Sequence, residues 1–155
     1  MKPAQPAESA SAPEGGSCSS RYASAASAAS SSAVGAVLLE GFRALYDKYA
    51  APPLCVGSVR GVGLMVGLEM LRTPRSGDER PPWTEAAGAV VHAMRLRRVL
   101  LSTDGMASNV IKLKPPMVFD EADAAHVLRE LAEVLDKLDE AIEVYRKAAP
   151  AELKG

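Results

Sequence analysis

Two hydrophobic periods alternate along the chain. From Ala33 onward, Val34, Val37, Leu38, Gly41, Phe42, Leu45 and Tyr49 recur at threes and fours, with Glu40, Arg43, Asp47 and Lys48 between them. That spacing predicts an amphipathic helix, closed by Ala51-Pro52-Pro53. The stretch Gly57 to Glu69 (GSVRGVGLMVGLE) alternates instead. As one strand it would put Val62, Leu64, Val66, Leu68 and Met70 on one face, and Gly61, Gly63 and Gly67 on the other. The glycine face would then be bare enough for another backbone to approach closely. Arg72 to Pro82 is charged and proline-bearing, which predicts a loop. A second helix is expected from about Trp83 to Arg97, with Trp83, Ala87, Val90, Val91 and Met94 as its stripe and Thr84 as its cap. The basic run Arg95, Arg97 and Arg98 would complement the dipole at that helix's end.

The next stretch, Val99 to Phe119, reads as a hairpin. Val99-Leu100-Leu101 is a short aliphatic strand, and Ser102-Thr103-Asp104-Gly105 a turn. From Asn109 a second strand puts Ile111, Leu113 and Met117 on one face and Val110, Lys112 and Lys114 on the other, with the two lysines ~7 Å apart. Pro115-Pro116 ends it, because neither residue can donate to a ladder. A long C-terminal helix follows, capped by Asp120 with Asp123 completing a capping-box variant. Its stripe is Ala124, Leu128, Leu131, Leu135, Leu138, Ile142 and Tyr145, and Glu133–Lys137 and Glu143–Lys147 are spaced for ion pairs. Packing across the domain's own sheet is the expected use of that stripe. His92 lies beside the second helix's stripe, and His126 lies off the last helix's stripe without an evident partner. The order helix, strand, helix, strand, strand, helix predicts an α+β fold, a small antiparallel three-stranded sheet covered on one face by helices.

Composition sets the limits of that domain. Residues 1–32 are Ser, Ala, Pro and Gly with almost no large apolar side chain, which predicts a disordered tail. Lys2 and Arg21 would suit an organelle transit segment, but Glu8 and Glu14 cancel them. A cytoplasmic or mitochondrial location is therefore expected. One domain would span residues 33–149, with a short tail at 150–155. The formal net charge of -1 implies no nucleic-acid or membrane field, and aromatics at 5% argue against base-stacking platforms. Cys18 and Cys55 sit far apart, as reduced thiols would, and no apolar run reaches the ~20 residues of a membrane span. The glycines run GxGxxxG inside a strand, which rejects a dinucleotide loop. No nucleophile elbow, HExxH motif or metal-ligand spacing occurs. The residues alone thus support a binding or interaction role, centred on a cationic hairpin.

Three stretches together resemble one family. GSVRGVGLMVGLE is similar to a strand of the small C-terminal domain of class-III pyridoxal-phosphate-dependent aminotransferases. RRVLLSTDGMASNVIKLKPPMVFDEADAAHVLRELAEVLDKL resembles that domain's last hairpin and final helix, and the helix ending in FRALYDKYAAPP the segment leading into the first strand. LLSTDG and NVIKLKPPM resemble most closely the branch containing ethanolamine-phosphate and phosphohydroxylysine phospho-lyases. The resemblance spans roughly residues 33 to 147.

The resemblance implies the small domain of the fold-type I pyridoxal-phosphate architecture, with a homodimer and a small anionic substrate in the complete enzyme. No nucleic acid or membrane is implied. The cofactor would be pyridoxal 5′-phosphate, bound through a lysine on a large domain. No lysine in this chain matches that motif, so the chain alone is expected to hold no cofactor and no metal, and to be inactive. In many members an arginine three residues before a Pro-Pro pair binds the substrate carboxylate. Lys112 stands there, a compact point charge suited to phosphate. Lys114 is its expected bystander, and Arg60 is expected to fix the start of its strand. Arg98 replaces the glycine that usually closes the preceding helix, where a left-handed cap would be strained by order 1 kcal/mol. Met106 stands where relatives often have proline. The expectation is a C-terminal-domain fragment of an aminotransferase or phospho-lyase that shapes the substrate pocket. The alternative is a non-catalytic binding or dimerisation module derived from that domain.

Overall fold

A computed structural model describes residues 25–52, 55–74 and 80–148. Most of the expected N-terminal tail, Cys18, Pro53 and the tail at 150–155 lie outside the described residues. In order, the elements are α1 (Ala25–Tyr49), β1 (Cys55–Val62), β2 (Met65–Leu71), α2 (Thr84–Leu96), β3 (Ser102–Asp104), β4 (Val110–Leu113), α3 (Glu121–Asp136) and α4 (Leu138–Ala148). α1 thus begins inside the segment expected to be a tail. The strands form one antiparallel sheet in the order β1-β2-β4-β3.

The helix stripes read from the sequence become the core in part: Val37 is exposed, Trp83, Val91, Leu128 and Tyr145 are only half-buried, and Val127 and Val134 of α3 are buried off the expected stripe. Val34, Leu38, Phe42, Leu45 and Tyr49 of α1 are buried against the sheet and α3. Ala86, Ala87, Ala89, Val90 and Met94 of α2 are buried likewise, as are Val66, Leu68, Met70, Ile111 and Leu113 of the sheet. α1 and α2 lie on the sheet, while α3 and α4 lie on α1 and α2. The C-terminal helix therefore packs on helices and not across the sheet, because α1 and α2 already cover the aliphatic face. Gly35 sits at the closest approach of α1 to the sheet, where a Cβ would stand 2.4 Å from the carbonyl oxygen of Gly63.

The sheet has four strands, not three. The expected single strand over 57–69 is a hairpin, with Val62 opposite Met65 and Gly63-Leu64 as a two-residue turn. Gly63 takes φ +56°, as the first position of such a turn demands. A second irregularity precedes it. Val56 pairs with Met70 and Val59 with Leu68, so one extra residue bulges in β1. The bulge shifts the inward positions of β1 from Val56 to Val59 and Gly61, and turns Arg60 and Val62 outward. Val62, expected on the aliphatic face, is 87% exposed.

Three other boundaries differ from expectation. β3 is Ser102–Asp104, with Val99 buried and Leu100 exposed before it, so the expected turn is itself a strand. β4 ends at Leu113, ahead of the two prolines, which leaves Met117 56% exposed. The last helix breaks at Lys137, where Asp139 and Glu140 begin a new first turn, a position favourable to acids. The break lets α4 bury Leu138 and Ile142 while packing mainly on α2. The caps follow the sequence at α3 and not at α2. Asp120 Oδ1 accepts from the Asp123 backbone N–H at 2.9 Å, and Asp123 Oδ2 from the Asp120 N–H at 3.3 Å. Thr84 instead donates its hydroxyl to the Ala107 carbonyl at 2.6 Å, and Trp83 takes the cap position of α2.

Candidate functional site

Among the described residues, helices cover one face of the sheet and leave the other open. Pairing in register places Arg60 opposite Gly67, Gly67 opposite Lys112, and Lys112 opposite Ser102. Directly paired residues share a face, so these four form one row across all four strands. At ~4.8 Å per strand, the Cα atoms of Arg60 and Lys112 are roughly 10 Å apart, with only Gly67 between them. A bare backbone flanked by two long cations makes a trough. Its cavity of about 620 Å³ is also lined by Val62, Met65, Val110 and Asp104.

Lys112 is fixed within this groove. Its Nζ donates to Asp104 Oδ2 at 2.6 Å, while Asp104 Oδ1 accepts the Gly105 backbone N–H at 2.8 Å. Gly105 has φ +84°, a conformation that suits glycine and turns the chain sharply after β3. The Lys112 ammonium, then the Gly105 N–H, hold the Asp104 carboxyl below the usual carboxylate range. The groove therefore contains one cation already paired, Lys112, and one exposed cation, Arg60, without a hydrogen-bond or ion-pair partner among the described residues.

Other expected positions disperse. Lys114 leaves the strand and lines a separate cavity of about 370 Å³ with Arg98, Phe119 and His126. It does not share the groove with Lys112. Arg60 is not at the start of its strand; the bulge places it on the open face. His92 packs at a tilt against Tyr145, with ring centroids 6.0 Å apart. His126 does have partners, with Nδ1 2.7 Å from Arg129 Nη2 and 3.8 Å from Glu130 Oε1. Arg97 reaches across to α3 and donates to Glu130 at 2.8 Å and Glu133 at 2.9 Å, beyond any role at its own helix end. Among the described residues no cluster of three or more His, Cys, Asp or Glu could hold a metal ion, and no helix is long and apolar enough to cross a membrane.

Known proteins resemble this chain in sequence and in fold. No family model matches the chain. The alanine–glyoxylate aminotransferase 2-like protein of Drosophila melanogaster is 48% identical over 82 residues, covering 52% of this chain and 16% of the relative. In sequence this chain is thus similar to part of an aminotransferase. Caenorhabditis elegans ethanolamine-phosphate phospho-lyase homolog 1 is 34% identical over 82 residues, covering 52% of this chain and 17% of its own length. A phospholyase from Arthrobacter, solved in complex with phosphoethanolamine, superposes with a TM-score of 0.61 at 29% identity over 69% of this chain and 24% of that one. The chain thus spans between about one sixth and one quarter of the length of the curated relatives it matches. The aminotransferase family is pyridoxal-phosphate-dependent, and the α+β fold with its antiparallel sheet is that of its transaminases.

The groove does not fit pyridoxal phosphate by itself. Its lysine is committed to Asp104, and among the described residues nothing faces the sheet across the groove. The N-terminus of α3, where backbone N–H groups could receive a phosphate, is filled by the Asp120–Asp123 capping box.

Proposed function

We propose that this chain supplies the small domain of a class-III aminotransferase or phospho-lyase and presents the open face of its sheet as one wall of the substrate pocket. The observation that carries this reading is the row Arg60, Gly67, Lys112, Ser102 along an uncovered groove, on a fold shared with those enzymes. In the complete enzyme the cofactor and its lysine belong to residues beyond those described here, and the domain's own part is to bind and orient. Lys112 acts as a substrate-binding cation for an anionic group on an amine or amino acid. A lysine at this place favours a phosphorylated substrate over a plain carboxylate, since its ammonium is a point charge and not a planar fork. The complete enzyme works as a homodimer, and the chain alone holds no cofactor.

The test is a chimaera in which residues 33–149 replace the matching segment of the Drosophila relative. Cofactor loading, read by absorbance, reports assembly, and turnover reports a completed pocket. Turnover lost despite full loading would discard the reading.

A further inference from the structure

We infer that Arg60 is the principal anion anchor of the open face and that Asp104 competes with any bound anion for Lys112. The inference rests on the reading of that face as a substrate wall and adds to it a residue and a competitor. Arg60 and Lys112 flank the side-chain-free Gly67 in register, so both reach the space above it. Their states differ. Lys112 already donates to Asp104 at 2.6 Å, and an incoming anion gains its ammonium only by displacing that carboxylate. Asp104 cannot easily follow the ammonium, because its other oxygen is held by the Gly105 N–H in the turn after β3.

Arg60 has no such tie. Among the described residues, Arg97 and Arg146 are spent on carboxylates, whereas Arg60 has neither hydrogen-bond nor ion-pair partner. Its five N–H donors in a fixed fork are therefore available to the groove. The bulge in β1 is what aims it there; without the extra residue, Arg60 would point into the helix layer. A tetrahedral dianion such as a phosphate monoester has oxygens enough for the Arg60 fork and Lys112 together. A single carboxylate is satisfied by the fork alone and gains little from displacing Asp104. The exposed side chains of Val62 and Met65 lie beside Arg60 in the same groove and offer apolar contact to the rest of such a ligand.

The full chain, isotopically labelled, is titrated with sulfate, a tetrahedral dianion whose charge is constant near neutral pH, while the amide signals of Gly61, Gly67 and Lys112 are followed. Saturable shifts at these amides are expected, with acetate weaker than sulfate. Arg60→Ala should weaken sulfate binding by roughly tenfold, and Arg60→Lys by less. Asp104→Asn should tighten it about threefold or more by releasing Lys112, a gain that misfolding cannot mimic. Arg60→Ala changing affinity by less than about twofold, Asp104→Asn failing to tighten it, or acetate equalling sulfate would each overturn the inference. The two readings fail separately. A chimaera that loads cofactor and turns over, combined with sulfate binding indifferent to Arg60, discards the anchor alone; a chimaera that loads but does not turn over discards the pocket wall while leaving an Arg60-dependent anion site standing.

Discussion

Arg98 shows how a single residue can sit at odds with its backbone. It occupies the position after the last turn of α2 with φ +64°, in the left-handed region where a Cβ is strained. Its own N–H donates to the Arg95 carbonyl at 3.0 Å, and the Val99 N–H donates to Met94 at 3.0 Å. This double bond pattern closes helices most often around a glycine. Met94 and Val99 are both buried across the motif, so the backbone path is fixed by packing whatever residue stands at 98. Arg98→Gly should therefore stabilise the fold by about 1 kcal/mol, read as a raised midpoint in urea. The strain was legible only through the family resemblance, which puts a glycine where Arg98 stands; periodicity alone did not mark it. A second residue-scale feature was not legible at all. Asp136 accepts from the Tyr49 hydroxyl at 2.6 Å and from Lys48 Nζ at 2.9 Å, joining the ends of α1 and α3. The Tyr49 hydroxyl first, then Lys48, hold the Asp136 carboxyl below its ordinary range. A depressed carboxylate contributes stability above the unfolded-state value and loses it as pH falls through the folded one. Denaturant midpoints should therefore fall as pH drops below about 4, the ordinary carboxylate value, and Asp136→Asn should flatten part of that slope.

At the scale of elements, helices were the readable part and strands were not. A helix stripe survives an error of a residue at either end, since threes and fours average over many turns. Strand alternation has no such tolerance, because one inserted residue exchanges the faces. Here parity changes twice in one stretch, at the bulge before Val59 and at the turn Gly63-Leu64. A two-residue turn pairs Val62 with Met65, so even positions before it share a face with odd positions after it. The run Val62, Leu64, Val66, Leu68 looks continuous in sequence yet crosses from the open face, through the turn, to the buried one. Lys112 could be placed because β4 has neither irregularity. Arg60 could not, because its face depends on the bulge. Close approach of elements leaves a sharper mark. Gly35 of α1 faces the Gly63 carbonyl, backbone against backbone, and neither side can yield by a rotamer change. Gly35→Ala should cost about 1–3 kcal/mol, measurable as a loss in thermal or urea stability, with far-UV helicity largely kept.

For the whole molecule, the decisive fact is one-sidedness. Four helices stacked in two layers cover one face of a four-stranded sheet, and the other face carries a cationic groove, two exposed apolar side chains and an ion pair. On the proposed reading such a sheet is half of a site, holding and orienting an anionic group, and among the described residues nothing closes over it. That agrees with a chain spanning between about one sixth and one quarter of its curated relatives and sharing its fold with a quarter of a solved phospholyase. The chimaera with the Drosophila relative tests this account most directly when Lys112 is varied within it. Lys112→Ala should leave cofactor absorbance and kcat near those of the unsubstituted chimaera and raise KM for an anionic substrate by roughly tenfold, the loss of one charge-assisted contact. A fully loaded Lys112→Ala chimaera with unchanged KM would contradict it.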